Sequence, residues 1–290
     1  MTRWLRDEPC RRATSSPPSS DRASSVRRVV PCLDVRDGRV LKGVQFSGLR
    51  DVGDPAELAA LHERHGADEI VVLDIGATPS RRDTQVETVR RVRAALRIPL
   101  TAGGGVRGVD DARALLTAGA DKVTVNTAAV RRPELLAELA SAFGRQCVVL
   151  AVDVRRRKTS PGSMPRWEVL VSGGHEPTGR DALEWIAEAT ELGAGEVLLT
   201  SWDRDGTRAG CDLASLDATR RVTTVPLIAS GGIGTAEHVV DAVRAGADAV
   251  LAASVLHDRE LTVNDLKQAL AAAGLPTRPP LEPVMNEEVP

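Results

Sequence analysis

The chain has 290 residues, 42% of them hydrophobic but only 2% aromatic, and carries a formal net charge of −2. So few aromatic rings exclude a base-stacking nucleic-acid platform, and the near-neutral balance removes any general attraction to nucleic acid or an anionic membrane, leaving small phosphorylated ligands that need only local donors. Its core must be built from Val, Leu, Ile and Ala, a composition that suits parallel strands buried on both faces.

Residues 1–25 are rich in Arg, Ser and Pro, without hydrophobic periodicity, and are expected to be a disordered N-terminal extension. Asp7, Glu8 and Asp21 count against a transit peptide. Short β-branched runs then alternate with amphipathic stretches. Strands are predicted over 28–34, 69–74, 99–103, 122–126, 148–153, 196–200, 226–230 and 248–252, and helices over 55–65, 84–96, 109–118, 133–143, 180–192, 213–222, 236–245 and 263–273. His62 and His65 share one face of the first helix, without Cys or acidic partners, and are expected to be solvated. Eight strand–helix units predict an α/β (βα)8 barrel, a TIM barrel, spanning 26–275. From Pro276 to 290 the prolines predict a loose C-terminal tail.

An internal half-barrel repeat supports the closed barrel. Pro99-Leu-Thr-Ala-Gly-Gly-Gly-Val aligns with Pro226-Leu-Ile-Ala-Ser-Gly-Gly-Ile, and Ala118-Gly-Ala-Asp121 with Ala245-Gly-Ala-Asp248, both at an offset of 127. The offset slips by eight between Asp34 and Asp153, because the loop at 155–166 is longer.

Function in such barrels sits at the C-terminal strand ends. Asp34 and Asp153 end the first and fifth strands, at opposite sides of the mouth, where partial desolvation raises a carboxylate toward a useful acid–base range. Either alone can merely cap a helix, but the symmetric pair points to proton transfer at two ends of one ligand. Gly103-Gly104-Gly105 and Gly231-Gly232 follow the third and seventh strands, with Asn126-Thr127 and Ala253-Ser254 beside them. Glycine there lets a phosphate approach backbone N–H groups; it also makes tight turns with no ligand. The duplication predicts two phosphate seats, hence a substrate with two phosphates. Asp203, Asp205 and Gly206 follow the sixth strand, and with no third ligand nearby in sequence no metal is expected, nor any cofactor. No apolar run approaches the roughly 18 residues of a membrane span. Cys10, Cys32, Cys147 and Cys211 are scattered as reduced thiols, so the expectation is a cytoplasmic protein.

Along the chain stand Pro31-Cys-Leu-Asp-Val-Arg-Asp-Gly-Arg-Val-Leu-Lys-Gly-Val-Gln-Phe46, Gly53-Asp-Pro55, Ala102-Gly-Gly-Gly-Val-Arg107, Ala118-Gly-Ala-Asp-Lys-Val123, Asn126-Thr127, Asp203-Arg-Asp-Gly-Thr207 and Ala229-Ser-Gly-Gly232. In these segments, and over about residues 27–275, the sequence resembles the cyclase subunit of imidazole glycerol phosphate synthase, the HisF family. The resemblance implies a lyase/cyclase of histidine biosynthesis. Ammonia and a phosphoribulosyl-formimino aminoimidazole-carboxamide ribotide would give imidazole glycerol phosphate and the carboxamide ribotide. It further implies that Asp34 and Asp153 are the acid–base pair and that Lys42, in the loop after the first strand, closes over substrate. Gly105, Asn126 and Thr127 would hold one phosphate, and Asp205, Gly206, Gly232 and Ser254 would bind at the other end.

Arg28, Glu69, Lys122 and Glu196 begin the first, second, fourth and sixth strands, at the bottom of the barrel. Such charges fit a structural salt-bridge ring; the resemblance implies instead a gate for ammonia from a separate glutaminase subunit docked on the N-terminal face. Departures from the family are Gly76, where Thr is usual, Cys211, where Tyr is common, and the longer 155–166 loop. The sister isomerase of the same pathway and a non-catalytic phosphate-binding subunit are the rival readings.

Overall fold

The computed structural model describes residues 25–44, 47–76, 82–158, 160 and 162–279. Its frame is a closed barrel of eight parallel strands. In order round the barrel these are β1 (Arg28–Arg36), β4 (Ile70–Asp74), β5 (Leu100–Gly103), β6 (Lys122–Val125), β7 (Val148–Arg156), β10 (Glu196–Ser201), β11 (Leu227–Ser230) and β12 (Ala249–Ala252), which pairs back onto β1. The principal helices round the outside are α1 (Pro55–Arg64), α2 (Arg82–Ala95), α3 (Val109–Thr117), α5 (Glu134–Phe143), α6 (Ala182–Leu192), α7 (Leu213–Val222), α8 (Ala236–Arg244) and α10 (Val263–Ala272). Every predicted strand and helix is present, with ends moved by a few residues.

The pleat sorts the apolar residues. Val30, Cys32, Val71, Val149, Leu198, Ile228, Ala249 and Leu251 form one cluster inside the barrel. Their neighbours Val29, Leu33, Ile70, Val148, Leu150, Val197 and Leu227 belong to the larger cluster between strands and helices. Such continuous apolar runs are what burial on both faces requires. Helix starts are fixed locally: the side chains of Asp54, Asp181, Asp212 and Thr262 accept hydrogen bonds from the first-turn N–H groups of α1, α6, α7 and α10.

The offset of 127 reappears in the contacts. Arg93 bridges Asp121 at 3.2 Å and donates to the carbonyls of Leu96 and Ile98, while Asp121 accepts from Leu100 N. Arg220 bridges Asp248 at 2.9 Å and donates to Thr223 and Val225, while Asp248 accepts from Leu227 N.

Elements absent from the sequence reading lie over the mouth. The loop expected after the first strand is a hairpin, β2 (Arg39–Val44) and β3 (Ser47–Gly53). Asp37 and Gly38 turn β1 into β2, both with positive φ, the geometry that an Asp-Gly pair signals. From β7 a second antiparallel hairpin rises, β8 (Trp167–Val171) and β9 (Glu176–Asp181). Two short helices, α4 (Thr127–Arg131) and α9 (Ser254–His257), follow β6 and β12. Gln45 and Phe46 of the family motif, the extension over 1–24 and the tail over 280–290 lie outside the described residues. The start of the tail is not loose. Arg27 N donates to Pro276 O at 2.7 Å, Thr277 pairs with Arg27, and Arg278 Nε lies 3.4 Å from Asp68.

Asp68 is also the acceptor for a fully buried cation. Lys267 Nζ on α10 meets Asp68 Oδ1 at 2.7 Å, and Val29 N donates to Asp68 Oδ2 at 2.9 Å. Lys267→Met keeps the bulk and removes the charge, and is expected to lower unfolding free energy by about 3 kcal/mol in urea denaturation, because it strands a buried carboxylate. A loss below about 1 kcal/mol, the range of an exposed pair, would mean that Arg278 takes over.

Candidate active site

The inward face of β1 carries Arg28, Val30, Cys32 and Asp34, so a single strand runs from the bottom charge through the apolar interior to the mouth. Asp34 is buried, 8% exposed, and its Oδ2 lies 3.2 Å from Lys42 Nζ on β2. The Cys32 thiol is 3.6 Å from Asp34 Oδ1. Burial, then the Asp34 charge, pushes that thiol well above its usual range, so it is a neutral donor. Burial alone would lower the Lys42 pKa, but Asp34 and Asp205 outweigh it and hold the ammonium charged.

Asp153 ends the inward face of β7, four strands from β1 in either direction. Asn126 Nδ2 donates to it at 2.9 Å. Burial, reinforced by the Asp205 charge, raises the Asp153 pKa to about 7, against the smaller opposing pull of Asn126. Asp205 is within electrostatic reach of both, and its own pKa is raised by burial and by Asp34, with Lys42 opposing. Asp203 does not join them: it is exposed and accepts from Arg156 N at 2.8 Å, holding the β7 hairpin.

These groups line one cavity of about 780 Å³, with Lys42, Gly105, Asn126, Thr127, Gly206, Gly232 and Ser254 on its walls. Gly105, Asn126 and Thr127 gather where β5 and β6 end; Gly206, Gly232 and Ser254 gather where β10, β11 and β12 end. The glycines answer first to the backbone. At Gly104, with φ +97°, a Cβ would lie 2.2 Å from Asp74 O; at Gly232, with φ +92°, 2.2 Å from Gly210 O. A side chain at 232 would therefore break the loop itself, a stronger demand than the anion access expected from sequence. Ser172, on the second hairpin, was not anticipated; its N–H donates to Thr127 Oγ1 at 2.9 Å and fixes that hydroxyl. Arg36, Arg107 and Arg208 also line the cavity.

At the opposite end, Arg28, Glu69, Lys122 and Glu196 alternate in charge round the barrel bottom. Arg28 reaches Glu69 at 2.7 Å and also bonds Glu196; Lys122 reaches Glu69 at 2.9 Å and Glu196 at 2.7 Å. Thr101 Oγ1 donates to Glu69 at 2.5 Å. Burial would pull the Glu196 pKa up, but Arg28 and Lys122 hold it below the ordinary value.

The histidine biosynthesis protein family matches residues 28–262. The chain is 57% identical over 252 residues to imidazole glycerol phosphate synthase subunit HisF of Mycobacterium tuberculosis, covering 87% of this chain and 94% of the relative. It belongs to the HisF family. The HisF subunit of Mycobacteroides abscessus is 56% identical over 258 residues, covering 88% of this chain and all of the relative.

Within that family frame, the expected placements of His62 and Lys42 need correction. His62 is not solvated: it is 2% exposed, its ring centroid 5.7 Å from that of His257, and burial followed by the His257 charge lowers its pKa to about 3. Lys42 sits on a strand rather than in an open loop, with its Nζ 3.2 Å from Asp34 Oδ2. Cys211 is buried, and burial pushes its thiol to about 12. At Gly76 a Cβ would meet Arg36 Cγ at 2.9 Å, so the missing side chain is space taken by that arginine. Among the described residues no three His, Cys, Asp or Glu side chains gather as a metal site, and no helix is long and apolar enough to cross a membrane.

The raised Asp153 pKa has a stability consequence of fixed sign. Between about 4, where the unfolded carboxyl titrates, and about 7 the folded chain keeps a proton that the unfolded chain has lost. The contribution of Asp153 is therefore intact at low pH and is lost as pH rises through that window. Asp153→Asn should match the wild type in melting temperature at pH 4 and exceed it at pH 8. Equal differences at both pH values would show that burial does not strain this carboxylate.

Proposed function

We propose that the chain runs the cyclase half of imidazole glycerol phosphate synthesis, with ammonia supplied by a separate glutaminase subunit. The substrate would be the phosphoribulosyl-formimino aminoimidazole-carboxamide ribotide, a molecule with a phosphate at each end. One observation carries this reading beyond family membership: two carboxylates face each other across a single cavity in unlike environments. Asp153, with its pKa near neutrality, can hold and donate a proton. Asp34 has the Lys42 ammonium 3.2 Å from its Oδ2 and in this reading takes the accepting role. Two carboxylates in unlike surroundings can divide into a general acid and a general base.

The reaction needs both. Ammonia adds to the ribulosyl carbonyl and water leaves; the resulting nitrogen closes on the formimino carbon, and the carboxamide ribotide departs. Each step moves a proton on or off nitrogen or oxygen. In this reading Gly105, Asn126 and Thr127 seat one phosphate, and Gly206, Gly232 and Ser254 seat the other. The span between them lays the reacting arm between the two acids, and Asp205 accepts a substrate hydroxyl.

The glutaminase would dock below, on the N-terminal face, with Arg28, Glu69, Lys122 and Glu196 as its gate. Between that ring and the mouth the barrel interior is apolar, lined by Val30, Cys32, Val71, Val149, Leu198 and Ile228. An apolar path suits neutral ammonia and repels its cation.

Two experiments test these assignments. In turnover driven by ammonium salt, Asp34→Asn and Asp153→Asn should each lose at least about 10²-fold in kcat, the scale of general acid–base catalysis, while substrate still binds. Near-normal rates in both would remove the acid–base claim, and aminoaldose isomerisation in the same assay would favour the sister isomerase. Arg28→Ala should keep turnover with ammonium salt and weaken turnover with glutamine plus the partner. Parallel losses with both nitrogen sources, alongside a fall of about 3–5 kcal/mol in stability, would leave the ring a structural salt bridge.

A further inference from the structure

We propose that His257 is a positioning residue, tying the helix that begins at Ser254 to the strand end that presents Asp34. The proposal rests on the roles assigned above to those two residues.

His257 closes α9, and its buried Nε2 lies 3.0 Å from the carbonyl oxygen of Cys32 on β1. A carbonyl oxygen only accepts, so Nε2 carries the hydrogen and Nδ1 is the bare nitrogen. Cys32 is the inward residue next below Asp34, and its thiol donates to that carboxylate. The tie therefore acts at the last turn of the pleat before the catalytic group, from the same short helix whose first residue is Ser254.

Packing alone gives no reason for histidine here. Among the described residues, His257 Nδ1 and both ring nitrogens of His62 behind it are buried without a partner. Burial, then Lys42, lowers the His257 pKa to about 4, so the ring is neutral. Leucine or methionine would fill such a space without stranding polar atoms. The polar contact that histidine does make is the bond to Cys32.

The sequence repeat sharpens the point. At the offset of 127, Asn126 matches Ala253, Thr127 matches Ser254, and Val130 matches His257. β6 neighbours β7 as β12 neighbours β1. In the first pair Asn126 bonds Asp153 directly and Val130 packs on the core. In the second pair the asparagine is an alanine, which cannot reach Asp34, and the valine has become the histidine that bonds the strand beneath it. Each acid is thus held from its neighbouring strand's loop, one by an amide and one through a backbone carbonyl.

The test compares His257→Leu with His257→Gln, whose amide nitrogen falls near the position of Nε2. With ammonium salt as nitrogen source, His257→Leu should lose about tenfold in kcat, because a small displacement of a reacting group slows the chemical step, with KM changed less than about threefold. His257→Gln should recover most of the rate. A kcat unaffected in His257→Leu, or losses in both variants that follow melting temperature with no rescue by Gln, would overturn the proposal. A measurement on the wild type does not depend on turnover: long-range ¹H–¹⁵N spectra should place the His257 proton on Nε2, and a proton on Nδ1 would overturn the tie directly. A wild type inactive with ammonium salt would instead overturn the function on which the tie rests.

Discussion

The pleat of a parallel strand in a closed barrel sends one side chain in two to an interior that water does not fill. Everything functional in this chain hangs on that alternation. Along β1 the inward positions are Arg28, Val30, Cys32 and Asp34, and the other face, with Val29, Leu33 and Val35, is buried against helices. A shift of one residue would bury the arginine and the aspartate among helices and open the strand's apolar face to the mouth. Register, hydrophobicity and site geometry are therefore one constraint.

The two acids occupy matched places in unlike surroundings. Asp34 has a cation at 3.2 Å; Asp153 has an amide at 2.9 Å and a second carboxylate, Asp205, within electrostatic reach. At equal burial an ammonium stabilises the carboxylate, whereas an amide only partly offsets desolvation. The difference arises from the hairpins. β1 continues into β2, which returns Lys42 toward Asp34; β7 continues into β8, which pairs Leu170 with Asp153 and brings no cation back. Matched strand ends place two acids at the mouth, and unequal hairpins give them unlike surroundings.

At the bottom of the barrel the same alternation has another result. Four charges meet where four strands begin, and each carboxylate bonds both cations. Pairing of this kind makes burial tolerable without making it more stabilising than an apolar core would be. A ring that contributes little net stability beyond what hydrophobic residues would give is consistent with service as a passage, the role proposed for it above.

The strands and the main helices were legible in the sequence because strands buried on both faces read as continuous apolar runs and helices keep their own period. Asp34, Asp153 and the glycine loops were legible for a related reason: they stand at the ends of those runs, at a repeated offset. The β2–β3 hairpin was half legible, since Asp37-Gly38 marks its turn, but half-polar Arg39–Val44 carries no strong strand pattern. What only the tertiary structure decided are pairings between residues far apart in the chain. His62 reads as a polar residue on an amphipathic helix until His257 arrives from the other end of the chain to cover it. Thr127 gains a fixed hydroxyl only when Ser172 folds over it. Asp34 and Asp153 look equivalent in sequence, because local pattern records which face of a strand a side chain takes; how deeply a carboxylate is buried, and which distant charges share its cavity, only the fold decides.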